Sequence, residues 1–150
     1  MKNTDIINSM KLSFPSKSAN ESFARAAVAA FLLPLDPTVA EIADVKTAVS
    51  EAVTNAIVHA YPESYGTVYI EAQLTASGRA VIRIRDKGVG IPDIKQAMEP
   101  LYTTSTDERA GLGFAVMQSF CDSVKVRSAV GKGTTVTLEK SIIRASYEKK

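Results

Sequence analysis

Val39, Ile42, Val45, Val49, Val53, Ala56, Ile57 and Ala60 recur at helical spacing. A stripe of this length predicts one long amphipathic helix whose apolar face must be covered by another layer. Asp36-Pro37 suits its start, because proline in a first turn loses no hydrogen bond. Tyr61-Pro62 ends the pattern. The covering layer is legible on both sides. Residues 10–14 alternate as a strand, with Met10, Leu12 and Phe14 on one face. Residues 67–74 and 79–85 read as two strands joined at Ser77-Gly78, and residues 124–127 and 134–143 as two more around Gly131-Lys-Gly133. Ser18 and Glu21 have capping-box spacing ahead of a first helix over about residues 19–33, stopped by Pro34. A short helical stretch is expected at 93–98. A last helix opens at Gly111, with Phe114, Val116, Met117 and Phe120 as its apolar residues. Strands on one side and helices on the other make an α+β, two-layer sandwich.

Residues 1–150 read as a single domain, with a disordered tail at 144–150. Hydrophobic residues make up 45% and charged ones 23%, enough apolar material for a core without metal or disulfide staples. The one cysteine, Cys121, has no internal partner, and no secretory leader is visible, so a cytoplasmic location is expected. No apolar run approaches the ~18 residues of a membrane span. Eighteen basic and sixteen acidic side chains are interspersed, for a net charge of +2. Direct nucleic-acid binding, which concentrates basic charge on one face, is therefore not expected.

Four short motifs carry the chemistry. Glu51 and Asn55, four apart, share one face of the long helix at the edge of its apolar stripe. They could be a solvated face. Equally, an asparagine carbonyl suits magnesium, and a carboxylate one turn earlier suits activation of a hydroxyl. Asp86-Lys-Gly88-Val-Gly90 follows a strand, and a tight turn needing glycine explains it as well as a ligand site does. Gly111-Leu-Gly113 precedes a helix, where free N–H groups favour an anion or simply form a flexible start. Hairpin chemistry suffices for Gly131-Lys-Gly133-Thr-Thr135. Between these motifs, residues 101–110 are polar, threonine-rich and aperiodic, and read as a mobile loop.

Taken in order, these motifs resemble the ATP-binding superfamily of gyrase, Hsp90, histidine kinases and the mismatch-repair protein MutL. The match spans about residues 10–138. Ser50-Glu-Ala-Val-Thr-Asn-Ala-Ile-Val-His-Ala-Tyr61 is similar to the anti-sigma-factor serine kinases within it. Asn20-Glu-Ser-Phe-Ala-Arg25, Arg85-Asp-Lys-Gly-Val-Gly-Ile-Pro-Asp93 and Pro100-Leu-Tyr-Thr-Thr104 narrow the likeness to the sporulation, anti-sigma-F group. The paralogous anti-sigma-B stress-response kinases are the alternative, with the same fold and chemistry.

The resemblance implies the Bergerat ATP-binding fold, with a mixed, mostly antiparallel sheet and helices on one face. It implies ATP and Mg²⁺ as cofactors, with Glu51 as catalytic base and Asn55 as magnesium ligand. Asp86 would recognise adenine, with Gly88 and Gly90 beside it. The polar stretch would be a lid over the phosphates, contributing Thr103, Thr104, Ser105 and Arg109. Gly111 and Gly113 match the second glycine box. Thr134 or Thr135 matches a threonine near the adenine, and Thr135 is the one chosen. The implied reaction transfers phosphate from ATP to a serine of an anti-anti-sigma factor. The implied partners are that protein, sigma-F and a second copy of the chain as a homodimer, with Arg25 contacting sigma and antagonist. His59 has no phosphoacceptor context and is given a structural or supporting role.

Overall fold

A computed structural model describes residues 2, 4–98 and 113–142. The expected loop at 101–110, Gly111 and the tail at 144–150 lie outside the described residues. Five strands form one sheet in the order β1-β2-β3-β5-β4. They are β1 (Ile6–Pro15), β2 (Thr67–Thr75), β3 (Arg79–Asp86), β4 (Ser123–Ala129) and β5 (Gly133–Ser141). Each ladder among the described residues is antiparallel, so the mostly antiparallel expectation is realised in full. The helices are α1 (Asn20–Phe31), α2 (Val39–Asn55), α3 (Ile94–Ala97) and α4 (Phe114–Phe120).

Strand alternation decides which sheet face is covered. Val68, Ile70, Ala72 and Leu74 of β2, Ala80, Ile82 and Ile84 of β3, and Val136 and Leu138 of β5 are all buried. They meet α2 through Val45, Ala48, Val49, Ala52 and Val53, all buried in the same core. The 3-1-3-1 spacing of these five is one helix face, and each buried valine contributes about 1.5–3 kcal/mol. Alternating alanine with valine keeps the helix close to the strands. α1 adds Ala24 and Val28, and α4 adds Phe114 and Met117. The opposite sheet face carries Lys11, Glu71, Arg83, Arg85, Thr135 and Thr137, the polar half of the alternation.

The ends of α2 depart from the sequence reading. Its cap is Thr38, whose side chain accepts from the Glu41 N–H (3.0 Å) while Glu41 Oε1 accepts from the Thr38 N–H (2.8 Å). Pro37 therefore stands before the helix, and Asp36 turns the chain there at φ 55°. Val39, placed on the apolar stripe by spacing, is 89% exposed because the first turn overhangs the sheet. The Ser18–Glu21 capping box does not form. Ala19 is already helical, and the Glu21 N–H bonds to the Ser18 carbonyl instead. At its far end α2 passes into a π-turn, Ala56–Ala60, that closes with Tyr61. Such wider turns often accompany functional sites.

Two substitutions separate the true cap from the apparent one. Thr38→Ala should lower stability by about 1 kcal/mol in urea titration. Ser18→Ala should change it by less than about 0.5 kcal/mol.

Candidate functional site

Where β3 ends beside α2, a narrow cleft brings together Asn55, His59, Ile84, Asp86, Phe114 and Thr134, with Gly90 and Ile91 at its edge. Asp86 is the last residue of β3 and sits on the covered face, directly opposite Thr134 of β5. It is 8% exposed. Its Oδ1 accepts from the Gly88 N–H (2.9 Å) and the Thr134 N–H (3.2 Å). That leaves Oδ2 to receive a further donor such as an exocyclic amine. Burial pushes the Asp86 carboxyl above its usual range, and the two backbone donors pull it partly back.

The loop after Asp86 is tied down on every side. The Lys87 N–H donates to the Tyr61 hydroxyl at 2.7 Å, and that hydroxyl donates to the Thr67 carbonyl at 2.9 Å. The Val89 N–H reaches the Ala60 carbonyl at 2.9 Å, and the Val89 carbonyl takes the Gly131 N–H at 2.8 Å. The Ile91 N–H donates to Ser128 Oγ at 2.8 Å. Gly90, at φ 79°, lies so close to the Ala129 carbonyl that a side chain would collide with it. The cleft measures about 30 Å³, room for about two waters where one needs ~10–15 Å³. A purine must therefore displace wall residues such as Ile91 or Phe114 to seat fully.

Glu51 lies one turn before Asn55 and opens into a neighbouring groove that also contains Arg25. Gly113, at φ 70°, abuts it: a Cβ there would overlap Glu51 Oε2. The adjoining residue, Phe114, walls the Asp86 cleft. One dipeptide thus joins the two sites. Burial raises the Glu51 carboxyl above its usual range, which moves a carboxylate toward the pKa of a useful general base.

Of the sequence-derived residues, Asn55, Asp86, Gly90 and Gly113 come together around these two spaces, and Gly88 anchors Asp86. Thr135 does not join them. It pairs with Arg85 on the opposite face of the sheet, where Arg85 stacks on Tyr69 at 4.4 Å. A strand reverses direction of side chains at each residue, so Thr134 occupies the cleft. Thr103, Thr104, Ser105, Arg109 and Gly111 lie outside the described residues. Tyr61 and Ser128, which hold the loop, were not singled out from sequence. The only hint was a hydroxyl-bearing residue at the end of each element.

Among the described residues no three His, Cys, Asp or Glu side chains are grouped to hold a metal. The oxygen donor of Asn55 still suits magnesium, which is commonly held by one or two protein oxygens plus phosphates and water. The residues present fit a metal carried in with a nucleotide.

A family model for the histidine kinase-like ATPase domain matches residues 14–140. The fold and cleft define a nucleotide-binding domain of that class. Anti-sigma F factors are closely similar in sequence. That of Clostridium beijerinckii is 56% identical over 135 residues, covering 89% of this chain and 94% of the relative. That of Thermoanaerobacter sp. strain X514 is 54% identical, covering 90% and 94%. That of Geobacillus kaustophilus is 49% identical, covering 92% and 95%. The chain belongs to the anti-sigma F factor family. Among solved structures, the RsbU and RsbW domains of a Mycobacterium tuberculosis protein superpose with a TM-score of 0.67 at 22% identity, over 91% of this chain and 33% of that one. A blue-light activated histidine kinase of Erythrobacter litoralis gives 0.58 at 18%, over 81% and 41%. These two share the fold.

Asp86→Asn should keep the loop, because an amide oxygen can still accept from Gly88 and Thr134, but should weaken nucleotide binding by tenfold or more on the order expected for a lost charged hydrogen bond. The sign of its stability effect follows from the raised carboxyl. Asp86 protonates more readily folded than unfolded, so its burial costs stability once pH rises through the carboxylate range. The ligand-free Asn variant should therefore melt higher than wild type at neutral pH, and that gain should vanish in acid. Melting curves across pH check this. Gly113→Ala should displace the Glu51 side chain and cost about 1–3 kcal/mol, read by urea titration.

Proposed function

We propose that this protein binds and inhibits a sigma factor, sigma-F, and uses Mg-ATP to phosphorylate a serine of its anti-anti-sigma antagonist. What supports this reading most is the Gly113–Phe114 junction, which puts a carboxylate of raised pKa beside the nucleotide cleft. A nucleotide-binding protein without transfer activity has no use for such a group. The family relationship adds the anti-sigma partner.

In this reading Asp86 Oδ2 accepts the adenine amine, and Thr134 flanks it. Asn55 holds the magnesium ion, which supplies charge neutralisation at the phosphates when bound. The glycine box at Gly111 and Gly113 faces the phosphates, with Thr103, Thr104, Ser105 and Arg109 contacting them. Glu51 takes the proton of the partner's serine hydroxyl as its oxygen bonds to the γ-phosphorus and the bond to the ADP oxygen breaks. Little covalent work falls to the protein beyond this, since phosphoryl transfer is carried mainly by positioning and electrostatics. Arg25 contacts sigma or antagonist on the α1 side. The chain acts as a cytoplasmic homodimer. No helix among the described residues is long and apolar enough to cross a membrane.

The decisive variant is Glu51→Gln. Phosphorylation of the purified antagonist should fall by ~10²–10⁴, with ATP affinity retained. Wild-type activity should decline on the acid side at a pH above the ordinary glutamate range, because the base is protonated there. Undiminished transfer by the Gln variant would remove Glu51 as the base.

A further inference from the structure

A groove of about 310 Å³ lies beside Glu51, lined by Arg25 of α1 and by Ala43, Lys46, Thr47, Ser50 and Glu51 of α2. The α2 members follow one another at helical spacing on the face turned away from the sheet. The core face is taken by Val45, Ala48, Val49, Ala52 and Val53. Two cations flank this space, and they are held differently. Arg25 Nε lies 3.4 Å from Glu21 Oε2, a contact one turn along α1 that orients the guanidinium and leaves its other donors available. Lys46 makes no ion pair with any described residue. Ala43 is exposed and small, so a partner's backbone can approach the floor between them.

Electrostatics gives the unpaired lysine a task. A protein serine entering this groove meets the Glu51 carboxylate and, in the proposed reaction, a nucleotide polyanion. An acidic acceptor segment is repelled there unless a cation receives it. Lys46 precedes Glu51 by five residues, or ~7.5 Å along the helix axis. That span equals about two residues of extended chain.

We propose that Lys46 is a specificity residue. With Arg25, it holds a carboxylate lying about two residues from the acceptor serine on the partner protein. This rests on the kinase reading above for the identity of the partner, and adds the chemistry by which that partner is read. The Lys46 ammonium selects an Asp or Glu at that distance and places the serine hydroxyl over Glu51. It touches neither nucleotide nor transferred phosphate.

The test is equilibrium binding of the unphosphorylated anti-anti-sigma protein of the same organism to the full chain loaded with ADP. Lys46→Ala should weaken this binding about tenfold and Lys46→Glu further, with the loss shrinking at high salt. Lys46→Arg should restore it, and ADP affinity should be unchanged in all three. Removing the partner's acidic residue about two positions from its serine should weaken wild type but not Lys46→Ala, giving a measurable coupling. Equal binding by wild type, Lys46→Ala and Lys46→Glu would overturn the proposal, as would absence of coupling. Weakened binding by Lys46→Ala in a protein that transfers no phosphate would leave the docking role standing and reject the kinase reading. A wild type that binds no antagonist would reject both.

Discussion

The close approach of α2 to the sheet sets the position of every group in the site. Alanines at 48, 52 and 56 alternate with valines at 45, 49 and 53, so the helix lies low over β2 and β3. A low helix brings Asn55 to the end of β3, where Asp86 stands on the covered face. Were larger residues used in the seam, helix and strand would separate and the cleft would open to water. The buried state of Asp86 follows from the same packing. Its ionised form is tolerated because two backbone N–H groups converge on one oxygen. The core and the chemistry are therefore one arrangement, not a scaffold with a site added to it.

Glu51 occupies the other side of this helix edge, and its environment differs in kind. Asp86 is fixed by hydrogen bonds from its own loop and the neighbouring strand. Glu51 is bounded by the bare backbone of Gly113. A carboxylate held by few donors and partly desolvated keeps its basicity, whereas one saturated by donors loses it. Two carboxylates within one domain thereby receive separate tasks, recognition for one and proton acceptance for the other.

Much of this was legible from sequence because hydrophobic periodicity is a physical demand. The stripe on α2, the alternation in the strands and the glycine turns all carry it. Elements were found where residue patterns repeat, and lost where two chemically equal residues compete. Ser18-x-x-Glu21 and Thr38-x-x-Glu41 have the same spacing, yet only the second caps, because the chain at Ala19 is already helical. Thr134 and Thr135 are alike as residue types, and only the register with Asp86 and Arg85 separates them. Tyr61 and Ser128 escaped notice since their role is to receive backbone N–H groups from a loop distant in sequence. No local pattern encodes such a contact.

Val89 illustrates what a backbone-only tether means over generations. Its N–H reaches the carbonyl freed at the end of the π-turn and its own carbonyl holds Gly131, while its side chain points largely to solvent. Mutation rewrites side chains and leaves peptide groups untouched, so the strap at this position is shielded from most inherited change. Proline alone, having no N–H, can cut it. The loop that carries the nucleotide-reading aspartate is thus free to vary in surface character, and with it the protein's contacts, without losing its shape.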